Sequence, residues 1–389
     1  MSTSFAGDVR SRFEPVAAVF RDNFADGGEV GAACCVYWRG VAVLDLWGGL
    51  ADEAARRSWQ RDTRVLVFSA SKGAVAICLN QLAERGEIDL EAPVARYWPE
   101  FAQGGNAGKA AITVGSVLAH RAGLPLVEAD LTRDEVFAGA AVLASIEKQA
   151  PLWDPGVAHG YHARTFGWIL GEVVRRVTGR SLGAYIAAEI AGPLGLEFDV
   201  GLPESLESRV ATIYPPPPPT DPLEIEMRER FLGPGTLLGR VLAGPGDLAY
   251  GDVWNSRELH AAEIPSSNGI GNARALARMY AATLGEVDGV RLLQPATVEA
   301  ARRVVSDGPD RVIHFETRFG RGFMLPPTLA LDCAAGCFGH PGAGGSLGFA
   351  DPENEMAFGY VTNRMQLGMT GDDRTRNLVR AVYAAIDRS

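Results

Sequence analysis

Three serines in this chain stand in patterns that could turn a hydroxyl into a nucleophile, and the patterns are of two kinds. Gly344-Gly-Ser346-Leu-Gly348 has the spacing of a nucleophile elbow. An elbow serine needs an acid and then a histidine later in the chain. The last histidine is His340, which precedes Ser346, so the order fails. Ser346 is therefore expected to be a strand residue after a glycine turn. The second pattern, Ser-x-x-Lys, occurs as Ser69-Ala-Ser-Lys72 and again as Ser145-Ile-Glu-Lys148. A lysine can take a serine proton only if burial or a nearby positive charge keeps it neutral part of the time.

Context separates the two pairs. Ser145 lies in a polar helical stretch with Glu147 beside the lysine, which predicts a solvated ion pair. Ser69 follows the apolar run Val65–Phe68 and opens a helix, where the dipole and free N–H groups favour developing negative charge. Lys72, three residues on, shares its helix face. Ala70 and Gly73 are small, which is expected to leave room for a substrate. Lysine is also rare: of 37 basic residues only Lys72, Lys109 and Lys148 are lysines. Arginine does not release its proton at neutral pH, so a retained lysine points to a role that needs proton loss.

The elements that must position these groups follow from periodicity. Ser11 and Glu14 form a candidate capping box, with Phe13, Val16, Phe20 and Phe24 on one helical face. Residues 30–37 and 42–47 read as two strands of a hairpin turning at Arg39-Gly40, and 64–68 as a third strand. Helices are predicted at about 71–85, 165–178 and 273–284, the last opened by Ser267-Asn-Gly-Ile-Gly271. Residues 215–219, all proline, read as a stiff extended connector. Strands are predicted again at 319–325, 346–350 and 356–362, followed by a final helix with Leu378, Val382 and Ile386 on one face. Strands at both ends with helices between them imply an α+β chain, its antiparallel sheet assembled from both termini and flanked by helices. The expected division is an α/β lobe from residues 1–100 and 260–389, with a mainly helical lobe, 101–259, inserted.

Composition bounds the partners. The chain has 389 residues, a net charge of −10 and no run of apolar residues long enough to cross a membrane. The acidic balance argues against nucleic acid. Met1–Arg12 lacks the apolar core of a signal peptide, so a cytoplasmic location is expected. The five cysteines are not spaced as a metal site, and no metal or cofactor is expected. Oligomeric state is not legible.

Taken in order, several short stretches resemble those of class C β-lactamase-like serine hydrolases, and within them the family VIII carboxylesterases. They are the strand before Ser69; Gly86-Glu-Ile-Asp-Leu90 with Pro93; Leu118-Ala-His120-Arg-Ala-Gly123-Leu124; and Trp153-Asp-Pro-Gly156 through Tyr161. Asn268-Gly269-Ile-Gly271 and Gly339-His340-Pro-Gly342-Ala-Gly-Gly345 complete the set. The resemblance implies a β-lactamase/transpeptidase-like fold, and it implies Ser69 as nucleophile with Lys72 and Tyr161 as acid/base groups. It also implies an oxyanion hole from the N–H groups of Ser69 and Ala343. Tyr161-His162-Ala163 stands for the family's Tyr-x-Asn, without the amide side chain. His340-Pro341-Gly342 stands for Lys-Thr-Gly, without the lysine that would anchor a carboxylate. Both departures favour neutral esters over penicillin-like acids. His340, Gly342, Trp153 and Trp254 are the candidate substrate-binding residues.

The leading expectation is a carboxylesterase acting on small to medium neutral esters. Acyl transfer to an alcohol or amine would use the same residues. Amide chemistry, as a β-lactamase or D-amino-acid peptidase, lacks the lysine of the third motif. A non-catalytic binding protein would be expected to have lost Ser69, Lys72 or Tyr161.

Overall fold

The computed structural model describes residues 4–25, 28–103, 107–216, 218–330, 332–366 and 372–387. The strands in chain order are β1 (Phe5–Val9), β2 (Gly31–Trp38), β3 (Val41–Asp52), β4 (Arg57–Ser58), β5 (Val65–Phe68), β6 (Phe198–Asp199), β7 (Gly269–Gly271), β8 (Ser306–Pro309), β9 (Glu316–Phe319), β10 (Phe338–Pro341), β11 (Leu347–Asp351) and β12 (Met356–Thr362). The helices that matter most for the site are α1 (Glu14–Asp22), α2 (Ser71–Glu84), α3 (Ala140–Lys148), α4 (Thr165–Thr178), α5 (Leu237–Ala243), α6 (Ala273–Leu284) and α7 (Asp373–Ile386).

The large sheet runs β1-β3-β2-β12-β11-β10, with β4 added to β3, and every pairing is antiparallel. Its centre joins the two ends of the chain: β2 lies against β12, with Cys34 opposite Tyr360. Both faces are covered, which is why β2 reads Gly-Ala-Ala-Cys-Cys-Val-Tyr-Trp rather than alternating with polar residues. Ala32, Cys34 and Val36 pack with Phe13, Phe20, Leu378 and Val382 of the α1–α7 layer. Ala33, Cys35 and Tyr37 pack with Leu276, Ala277 and Tyr280 of α6. Between β3 and β10 the chain is mostly helical, with α2, α4 and their neighbours forming one continuous core with α6.

Several local expectations change. A 3-10 turn, Ser11–Phe13, precedes α1, and no side chain caps that helix, so the Ser11–Glu14 box does not form. The 64–68 strand belongs not to the large sheet but to a small one, β5-β7-β6. Gly269–Gly271 is a strand rather than the opening of a helix, because β5 supplies it with a partner. The 319–325 strand is displaced: β9 ends at Phe319, and the chain then turns, with Gly320 N–H bonded to the Phe323 carbonyl. Helices 165–178 and 273–284 fall where the periodicity puts them.

Candidate active site

The site begins with a strained turn. β5 pairs with β7, and the register shifts between Leu66 and Phe68, leaving Phe68 opposite Gly269. Phe68 then adopts a left-handed backbone with φ of 47°, a conformation that costs a bulky residue roughly 1–3 kcal/mol. Ser71 holds it in place: its buried hydroxyl donates to the Phe68 carbonyl and accepts from Gly269 N–H at 2.9 Å. Ser69 is thereby set between the end of β5 and the start of α2, facing a cavity of about 280 Å³.

Lys72 is fully buried in the first turn of α2. Its Nζ lies 3.2 Å from Ser69 Oγ, 2.7 Å from the Ala163 carbonyl and 3.0 Å from the Ser266 carbonyl. Each of the three partners can accept an N–H, and no carboxylate is among them. Burial, aided by the positive charge of Arg164, holds the lysine well below its usual range.

Tyr161 closes the other side. Its ring centre is 4.8 Å from Nζ, and its phenol hydrogen-bonds the Ser69 side chain. Burial raises the phenol above its usual value, so it stays protonated. Its backbone is fixed by Asp310, whose buried Oδ1 accepts from the N–H groups of Tyr161, Val312 and Ile313. Behind it, His120 Nδ1 accepts from His162 N–H, while His162 Nδ1–H donates to the Gly160 carbonyl. Burial holds His162 down at about 4, so it is neutral packing around the tyrosine.

His340, at the end of β10, lines the cavity with Ser69 and Tyr161. Its Nδ1–H donates to the Pro341 carbonyl at 2.7 Å, and burial pushes the ring down to about 3. The position offers no positive charge at neutral pH. Gly342 is explained by close approach rather than by substrate contact: an added Cβ would sit 2.1 Å from the Val67 carbonyl, against the strand that leads into Ser69. Ala343 does line the cavity. Among the described residues neither Ser69 N–H nor Ala343 N–H donates to a protein acceptor.

The structure therefore brings together Ser69, Lys72, Tyr161, His340 and Ala343, and removes other candidates. Trp254 is buried behind Phe68, ring centres 5.0 Å apart, and does not reach the cavity. Trp153 packs over Gly160 and under the Arg311 guanidinium, also away from it. The space beside Gly73 belongs to the Tyr280 hydroxyl, not to substrate. In the second Ser-x-x-Lys the expected ion pair is replaced: Glu147 accepts from Trp98 Nε1 at 2.9 Å. The walls that sequence reasoning missed include Pro215, Pro216, Leu242, Tyr250, Ile313 and Met324, with the exposed Arg228 at the outer end. Only the proline run carries a visible signal in the sequence, and that signal reads as a stiff connector rather than a cavity wall.

A beta-lactamase family profile matches residues 16–383, and the chain belongs to that family. It is 37% identical over 374 residues to the esterase/beta-lactamase LipL of Mycobacterium tuberculosis, covering 92% of this chain and 83% of LipL. A family VIII carboxylesterase crystal structure superposes with a TM-score of 0.87 at 35% identity, covering 98% of this chain and all of the other. EstA of Arthrobacter nitroguajacolicus Rue61a superposes with a TM-score of 0.85 at 36% identity, covering 100% of this chain and 99% of that one. Among the described residues no helix is long and apolar enough to cross a membrane.

Proposed function

We propose that the chain is a serine carboxylesterase that cleaves small to medium neutral esters through an acyl-Ser69 intermediate. The observation that carries this reading is Lys72 Nζ, fully buried, 3.2 Å from Ser69 Oγ, without a carboxylate among its hydrogen-bond partners. Lys72 takes the Ser69 proton as the oxygen attacks the ester carbonyl. The carbonyl oxygen, now negative, is received by the Ser69 and Ala343 N–H groups. Tyr161 delivers a proton to the departing alkoxide, and Lys72 resupplies it. Water then repeats the sequence on the acyl-enzyme and releases the acid. The apolar walls suit a short hydrocarbon acyl or alcohol part.

Substrate class follows from the neutral His340 and the amide-free Ala163. A charge-assisted hydrogen bond to a carboxylate is worth about 1.5–3 kcal/mol, so its absence weakens a β-lactam acid by about ten- to a hundredfold. Without an amide at 163 the acyl part is also less well held. The expected outcome is a kcat/KM for p-nitrophenyl butyrate at least about a thousandfold above that for nitrocefin. Mass spectrometry with a slow ester should find the acyl group on Ser69. LipL carries both activities in its name, and comparable values for the two substrates would replace the esterase reading with the β-lactamase one.

A further inference from the structure

Arg164 is a buried arginine with no acid beside it. Only 4% of its surface is exposed. Its guanidinium donates to four backbone carbonyls: Val241 at 3.1 Å, Gly244 at 2.7 Å, Leu248 at 2.9 Å, and Leu242. Val241 and Leu242 are in the last turn of α5, so Arg164 satisfies carbonyls that the helix itself leaves open. The same stretch of chain supplies Leu242, Ala243, Ala249 and Tyr250 to the cavity wall. On its other side Arg164 adjoins Ala163, whose carbonyl takes a proton of Lys72, and its own carbonyl accepts from Ser266 Oγ at 2.9 Å. Among the described residues no carboxylate pairs with the guanidinium. A buried cation without a counter-ion is costly unless something else uses it.

We propose that Arg164 is a positioning residue for the reaction, clamping the 241–248 segment as one wall of the acyl cavity and so setting which esters fit. The proposal rests on the esterase reading above, with Ser69 opening onto that cavity.

The test compares wild type, Arg164→Gln and Arg164→Lys by kcat/KM on p-nitrophenyl acetate, butyrate and octanoate. Both variants lose the planar fork that reaches four carbonyls, so the ratio among the three esters should change by about threefold or more in each, because the wall is no longer held. An unchanged ester ratio in either folded variant overturns the clamp. If Arg164→Gln does not fold, Arg164→Lys decides alone: a wild-type ratio refutes the proposal. Failure of the underlying reading looks different, because a Ser69→Ala enzyme that still cleaves these esters moves the reaction away from this cavity.

Discussion

Ser69-Ala-Ser-Lys72 and Ser145-Ile-Glu-Lys148 share two letters and a spacing, and the fold gives them opposite fates. In the first, the serine follows a left-handed Phe68, and the lysine is fully buried against two carbonyls and a hydroxyl. In the second, Ser145 Oγ donates to the Ala141 carbonyl one turn back in α3, and Lys148 is exposed. The intervening residues differ just as sharply. Ser71 braces the turn that carries Ser69, whereas Glu147 accepts from a tryptophan. A helical pair of serine and lysine is therefore not a catalytic unit until something desolvates the lysine and something else lifts the serine off the helix.

The largest expected effect tests the nucleophile. Ser69→Ala should lower kcat/KM for p-nitrophenyl butyrate by at least about four orders of magnitude, and Ser145→Ala should stay within about twofold. Ser346→Ala belongs with the silent partner, since Ser346 contributes its backbone carbonyl to Gly342 N–H and lies outside the cavity wall. If Ser346→Ala abolished activity in a well-folded enzyme while Ser69→Ala did not, the comparison would be drawn between the wrong serines.

Next comes the base. Lys72→Arg should be nearly as damaging as Lys72→Ala, each losing about two to four orders of magnitude in kcat, while Lys148→Ala remains near wild type. An active Lys72→Arg enzyme would reduce burial of Lys72 to a packing feature. The wild-type pH profile sharpens the same point. In the proposed mechanism Lys72 works deprotonated, and burial holds it below its usual range, so kcat/KM should rise through an acid limb lying well below the ordinary lysine range. A limb at the ordinary lysine value would contradict the desolvation argument.

The smallest effect concerns the residue between. Ser71→Ala leaves the Phe68 carbonyl and Gly269 N–H without their shared partner, at a cost of about 1–3 kcal/mol in stability. Relaxation of the Phe68 turn should also lower kcat about tenfold with little change in KM. Thermal unfolding and steady-state kinetics read the two separately. Glu147→Gln, at the matching position of the other pair, should alter neither by more than a few tenths of a kcal/mol or about twofold.

Much of this is legible in the sequence. A strand running into Ser69, a helix carrying Lys72 and a sheet made from both ends all follow from periodicity and punctuation, and Tyr161, His340 and Ala343 come from the family resemblance that the ordered motifs carry. What was not legible depends on contacts across the chain. Phe68 looks like an ordinary strand residue, and only the β5–β7 register shift shows that it is strained. Trp153 and Trp254 suit a pocket by residue type, but packing places them behind it. Arg164 looks like any of the other arginines, since its carbonyl partners lie about 80 positions later in the chain.

The pairing of β2 with β12 has a consequence for how the protein is made. A hydrogen bond from Gly31 N–H to the Asn363 side chain spans 332 positions, and the Ser71 brace reaches 198 positions forward to Gly269. On the ribosome, then, the β2–β3 hairpin emerges long before its neighbour strand exists, presenting an apolar open edge with two adjacent cysteines. The last strand synthesised seals the middle of the sheet, not its margin. Nascent chains stalled before β12 should accordingly bind holdase chaperones and aggregate when released, even with every residue of the Ser69–Lys72–Tyr161 site already translated.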